Sequence, residues 1–136
     1  MSLLWPNLNP FDDRKFWEDE WQLHGSCQNN DPYRYFSTAI ALMKTIKLDQ
    51  ALKEKIQLGI IKPKALFIST IQEKVGNVTP ILTCIKKDGV YLLKQIILCV
   101  DTLGKTFISC DQPMEQDYSC QGYNIKFPKF PDWIID

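Results

Sequence analysis

The sequence predicts an α+β fold, with helices packed on an antiparallel β-sheet, and three observations carry that expectation. Apolar residues recur at helical spacing in the first half of the chain, as in Phe36, Ile40, Met43 and Ile46. From Ile81 onward the texture changes to β-branched runs, over Ile81–Lys87 and over 90–100. Asp88-Gly89 stands between those runs, a turn signal that joins antiparallel strands as a hairpin. Helices first and a sheet later is the order of an α+β chain rather than of alternating parallel units.

Each element has a local cause. Asp12 and Asp13 are placed to cap a helix carrying Phe16, Trp17, Glu20, Trp21 and His24, and Gly25 stands where a helix C′ residue is expected. Asp31-Pro32 is a good N-cap and first-turn pair for a second helix running to about residue 47. Asp49 can cap a shorter helix through Ile56, ended by Gly59. Pro63 opens another, with Leu66, Phe67, Thr70 and Ile71, which should stop at Gly76. Beyond the first hairpin, Asp101-Thr102-Leu103-Gly104 is a second turn signal leading into a strand over 105–110. If 90–100 and 105–110 pair across that turn, Cys99 and Cys110 lie near each other. A bridge there closes a loop of about ten residues and contributes roughly 2–3 kcal/mol. Cys84 and Cys120 would then be the second pair, and Cys27 is left unmatched.

A chain of 136 residues fits a single domain, 1–136. It can bury roughly two thirds of its unfolded surface. With 16 basic and 16 acidic residues the formal net charge is zero, so no long-range field draws in a polyanion and any nucleic-acid contact must come from a local site. No run approaches the ~18 apolar residues of a membrane span. None of the five cysteines has the C-x-x-C spacing of zinc ribbons or thioredoxin-like redox sites. Four of the five cysteines lie beyond Asn77, which suggests a stapled, secreted module. Asn77-Val78-Thr79 is an N-glycosylation sequon, made a poor one by Pro80 directly behind it. The opening residues Met1-Ser2-Leu3-Leu4-Trp5-Pro6 have neither the basic region nor the apolar stretch of a signal peptide. The expectation is that the chain begins inside a longer precursor.

Residues four apart share a helix face, so Glu20 and His24 stand together and Asp19 and Leu23 form the adjacent row. A carboxylate beside an imidazole orients the ring, favours its charged form and prepares it for proton transfer near neutral pH. His24 is the sole histidine of the sequence. A lone histidine near a helix end is also a common structural feature, favoured there by the helix dipole. Trp17 and Trp21, at helical spacing, read as core rather than as a base-stacking platform. Lys86 and Lys87 read as a solvated turn, and Lys44, Lys47, Lys53 and Lys55 as the exposed sides of amphipathic helices. Tyr33 and Tyr35 carry no readable role.

The wider segment 16–27 resembles the second active-site motif of the ribonuclease T2 family, F-W-x-H-E-W-x-K-H-G-T-C. Phe16, Trp17, Glu20, Trp21, His24, Gly25 and Cys27 match it, and Ser26 stands for Thr. Leu82-Thr83-Cys84, Ile97-Leu98-Cys99-Val100-Asp101, Ile108-Ser109-Cys110 and Ile125-Lys126-Phe127-Pro128 resemble the C-terminal half of plant members. Trp5-Pro6-Asn7-Leu8 is similar to a W-P-x-L segment of the self-incompatibility ribonucleases of flowering plants, which also often carry Asp at the position of Asp19.

The resemblance implies a ribonuclease T2-like fold lacking its N-terminal part, with bridges Cys84–Cys120 and Cys99–Cys110 and an upstream partner for Cys27. It implies an extracellular monomer without metal or cofactor that acts on RNA and not DNA, with a protein partner if it serves in self-incompatibility. The family cleaves RNA through a 2′,3′-cyclic phosphate. His24 would be the base that takes the ribose 2′-OH proton, and Glu20 its electrostatic partner. Asp19 and Leu23 are degenerate positions, and Leu23 replaces the motif's lysine. The first motif, H-G-L-W-P, has no counterpart, since aligning Leu4-Trp5-Pro6 with its end puts Ser2 at the histidine. A positioned acid or base is worth about 10²–10⁴ in rate. The sequence therefore predicts an endoribonuclease impaired as written, with a non-catalytic binding protein or a degenerate gene product as alternatives.

Overall fold

The structure is a computed structural model that describes residues 12–26, 31–111, 120 and 124–129. It divides into two compact units, Met1–Thr45 and Ile46–Asp136.

In the first unit, α1 (Asp13–Glu20) runs directly into a π-helical turn (Trp21–Gly25), and α2 (Pro32–Ile46) follows. Asp12 has extended backbone, and its Oδ1 accepts the N–H groups of Arg14 at 3.0 Å and Lys15 at 3.3 Å, which fixes the start of α1. The expected stop at Gly25 is corrected. Gly25 lies inside the helical run, and Ser26 after it keeps right-handed backbone at φ −66°. The Ser26 N–H reaches back five residues to the Trp21 carbonyl at 2.8 Å, so the last turn is widened rather than closed by a left-handed residue. Asp31 caps α2 through the Arg34 N–H at 2.8 Å, and the helix ends where Lys47 turns left-handed at φ 46°.

In the second unit, α3 (Leu48–Lys55) starts from Lys47 with no side-chain cap. Asp49 sits inside the first turn, where its charge favours the helix N-terminus, rather than at the cap position the sequence suggested. Gly59 permits a tight return at φ 81°, with its N–H on the Phe127 carbonyl at 2.6 Å. Pro63 precedes α4 (Lys64–Val75) as its cap residue instead of opening the helix, because it also closes a short strand, β1 (Ile61–Pro63). Gly76 ends α4 at φ 96°.

The strands β2 (Ile81–Lys87) and β3 (Val90–Ile97) form the hairpin announced by Asp88-Gly89, whose φ angles of 50° and 77° suit a two-residue turn. The sheet order is β1-β6-β3-β2, with β6 at Asn124–Lys126. Its β1–β6 and β2–β3 pairs are antiparallel, and β3–β6 is parallel. The expected strand over 90–100 breaks at Leu98. Beyond it β4 (Cys99–Val100) pairs with β5 (Phe107–Ile108) in a separate two-stranded sheet. The expected strand over 105–110 shortens to Phe107–Ile108 because the turn takes up the residues before it. The Asp101 N–H donates to the Thr106 carbonyl, and Asp101 Oδ1 accepts the Lys105 N–H, both at 2.9 Å.

Helices α3 and α4 pack on the sheet through Leu52, Ile56, Phe67 and Ile71 against Leu82, Cys84, Leu93, Cys120 and Ile125. Phe67 meets Phe127 edge to face at 6.4 Å. Cys84 is bonded to Cys120 and Cys99 to Cys110.

Two outcomes follow from these restraints. With sequence separations of 36 and 11, chain entropy assigns about 4 kcal/mol to Cys84–Cys120 and about 3 kcal/mol to Cys99–Cys110. Denaturant melts should therefore show the Cys84→Ala/Cys120→Ala protein losing more stability than Cys99→Ala/Cys110→Ala, the more so because the first pair is buried in the core. The Asp101 carboxyl is held below the usual carboxylate range, chiefly by the Lys105 N–H, against some loss of hydration and with help from Thr106 and Leu103. Because the folded group titrates below the unfolded one, its support is complete above the unfolded pKa and disappears as pH falls through the folded value. Amide exchange at Lys105 should lose protection in acid over that interval, and Asp101→Asn should abolish the pH dependence.

Candidate functional site

The continuous run of α1 and the π turn carries residues 16–25 of the motif, and Ser26 follows as its C-cap. Glu20 ends α1, and His24 lies one turn later, with His24 Nε2 4.0 Å from Glu20 Oε2. That separation is an ion pair at its outer limit and too long for a hydrogen bond. The carboxylate thus acts on the ring through its field when the imidazole is charged. The side chains differ in access, Glu20 being 29% exposed and His24 62%. A largely open imidazole backed by a sheltered carboxylate can exchange a proton with a group arriving from solvent.

The neighbouring row is less equipped. Asp19 is paired with Lys15 at 3.9 Å, and Leu23 extends into solvent with 74% exposure. Cys27 lies outside the described residues, as do Ser2 and the Trp5-Pro6-Asn7-Leu8 segment.

Gly25 sets how the turn packs. It is buried, and a Cβ there would stand 2.5 Å from Trp21 Cε3 and 3.1 Å from Tyr35 Cδ2. Trp21 and Tyr35 meet edge to face at 5.7 Å, and Tyr35 and Phe36 do so at 5.0 Å. Tyr35, without a readable role in the sequence, is thus a packing partner of the motif. Among the described residues, Trp17 and Trp21 do not close a core. With Phe36 and Ile40 they line a groove of about 880 Å³, with Arg14 and Lys44 also on its wall. Neither Glu20 nor His24 lines the groove.

Two further residues singled out in the sequence belong to the second unit. Asn77 is exposed after α4, and the Lys86 ammonium stands 5.5 Å over the Tyr91 ring. Sequence reasoning missed the π turn. Its signal is the contact at Gly25, which depends on Tyr35 ten residues later and is invisible to a cap rule.

Residues 1–110 match the profile described as the Ribonuclease T2 family. Ribonuclease S-3 of Pyrus pyrifolia is 34% identical, with 93% of this chain and 62% of that protein covered. The chain therefore spans less than two thirds of that relative's length. The crystal structure of Japanese pear S3-RNase superposes with a TM-score of 0.80 at 33% identity, covering 93% of this chain and 68% of that one. RNase NT in complex with 5′-AMP gives 0.79 at 30% identity, covering 94% and 64%.

The packing at Gly25 is directly testable. Gly25→Ala should cost about 1–3 kcal/mol by forcing the Trp21 and Tyr35 rings apart. A lower denaturation midpoint with a changed near-UV aromatic spectrum is the expected result, and an unchanged midpoint would mean the rings yield freely.

Proposed function

The chain belongs to the ribonuclease T2 family, and on that premise we propose that it is an RNA-binding protein of endoribonuclease type whose cleavage through a 2′,3′-cyclic phosphate is impaired. The observation that carries this reading is the contrast on one helical turn. His24 retains Glu20 at 4.0 Å, whereas beside it Leu23 presents a 74% exposed apolar side chain where the family motif has lysine. In this reading His24 takes the ribose 2′-OH proton and the Glu20 field steadies the imidazolium that results. The oxygen that departs needs a proton in turn, and the 136 residues contain no second histidine to supply it. A missing acid or base removes about 10²–10⁴ in rate. Loss of a cation near the phosphate removes electrostatic stabilisation of the transition state as well, and the two losses need not multiply.

RNA as the ligand is supported by RNase NT, a structural relative in complex with 5′-AMP. One ribonuclease T2-like domain over 1–136 is supported by a family match that runs through the boundary at Thr45 and Ile46. Two disulfides favour an oxidising, extracellular setting, and the reading takes the protein to be a monomer. A second reading, a non-catalytic protein that binds a partner of the kind a self-incompatibility determinant binds besides cleaving, is favoured by the same Leu23, because an exposed apolar side chain beside the motif suits a protein contact better than a phosphate.

An RNA cleavage assay on the 136-residue chain tests the reading. Turnover is expected at least about 10²-fold below that of the pear S-3 relative. Leu23→Lys should raise RNA affinity, and His24→Ala should remove any residual cyclic-phosphate product. Release of that product at the relative's rate, abolished by His24→Ala, would overturn the claim of impairment.

A further inference from the structure

Asn77-Val78-Thr79 is the one N-x-S/T triplet in the 136 residues. It lies between α4 and β2, where Gly76 at φ 96° turns the chain out of the helix. Asn77 and Thr79 are exposed, and Pro80 is buried. The backbone of the triplet is tied down nonetheless. The Val78 N–H donates to the Gly76 carbonyl at 2.8 Å, and Gln72 Nε2 donates to the Val78 carbonyl at 3.1 Å. Thr79 is held on both sides by one dipeptide. Its N–H donates to Ser109 Oγ and its carbonyl accepts the Cys110 N–H, each at 2.9 Å. Cys110 is in turn fixed by its bond to Cys99.

These contacts place a modification site and a disulfide in competition for the same backbone. Glycan transfer requires the triplet to leave its surroundings and seat in the transferase. Once Cys99–Cys110 has closed, Ser109 and Cys110 hold Thr79 against that movement. We propose that Asn77 is an N-glycan acceptor whose occupancy is set by a race with closure of the Cys99–Cys110 bridge.

In the transfer, Asn77 Nδ2 bonds to C1 of the first sugar of a lipid-diphosphate oligosaccharide. The C1–O bond breaks, the lipid diphosphate leaves with the electron pair, and one amide proton passes to a base of the transferase. In the competing step the two thiols lose two protons and two electrons to a disulfide-bearing oxidoreductase of the same compartment, which is reduced to its dithiol. Cys110 leaves the ribosome 110 − 77 = 33 residues after Asn77, roughly 2–7 s later at ordinary synthesis rates. Pro80 restricts Thr79 to extended backbone and makes the triplet a slow acceptor, so transfer does not finish within that interval and the race is close. The exposure of Asn77 lets the finished fold carry the sugar. The proposal requires an oxidising compartment and is independent of RNA binding.

The test is translation of the full chain behind a cleavable signal peptide in the presence of microsomes, with the glycan read as an endoglycosidase-sensitive mass shift that is absent in Asn77→Gln. Partial occupancy is expected under oxidising conditions. A several-fold gain is expected with reductant, with Cys110→Ser, or with Pro80→Ala under oxidising conditions. Because the readout is a covalent mark, it does not depend on the variants folding. Absence of any shift, including in Pro80→Ala, would overturn the proposal. So would occupancy indifferent to both reductant and Cys110→Ser, or an equal gain from Cys120→Ser, which leaves Cys99 and Cys110 free to pair.

Discussion

The architecture of the second unit depends on the buried Cys84–Cys120 bond. The strand β6 has three residues, Asn124–Lys126, yet it lies inside the sheet between β1 and β3. Its partner on one side is 65 positions upstream, since Ile61 faces Lys126. Bringing so short a strand to so distant a partner costs loop-closure entropy that a few ladder hydrogen bonds offset poorly. The covalent link fixes residue 120 to β2, four residues before β6 begins, and delivers the returning chain to the sheet. Ile125 can then occupy the fully buried position where α3, α4 and the hairpin converge. Phe127 completes the joint by exchanging backbone hydrogen bonds with Gly59 and Ile60.

What the sequence made legible is what local chemistry decides. Asp31-Pro32, Gly76 and Asp88-Gly89 each act within a few residues of their own position, and each is found where its turn or cap chemistry puts it. Apart from small offsets at Asp49, Pro63 and the 105–110 strand, the failures have one cause in common. The short strands β1 and β6, and the parallel pairing of β6 with β3, exist through partners far away in the chain. The break at Leu98 arises because the residues after it join a different sheet, although their β-branched composition continues unchanged. Gly25 was misread for the same reason. A glycine after a helical run resembles a left-handed stop, but here it serves the close approach of the Trp21 and Tyr35 rings.

The candidate site was legible as a pairing of residues and not as a geometry. Spacing alone brings Glu20 and His24 to one face, and the structure leaves them at 4.0 Å with His24 open to solvent. Spacing could not show that the helix widens through Trp21–Gly25, nor that Asp19 is engaged by Lys15. A π turn adds a residue to one revolution and so shifts the direction of the side chains beyond it. His24 lies within that turn, so its direction is set by the widened backbone and, through Gly25, by the Trp21 and Tyr35 packing.

That arrangement separates two kinds of inheritance in the same twelve residues. Among the positions that keep the family pattern, Phe16, Trp17, Glu20, Trp21 and Gly25 are all at least half-buried. The three that depart from it, Asp19, Leu23 and Ser26, are exposed. Replacements at exposed helical positions usually shift stability by no more than about 0.5 kcal/mol in either direction, whereas changes at packed positions cost several times that. Folding therefore preserves the packed positions, and at the exposed ones only chemistry does. The strength of the motif match measures how well the scaffold has been kept. In the proposed reading, cleavage rests on the Glu20 and His24 pair and on the exposed position beside it, where the motif's lysine is Leu23.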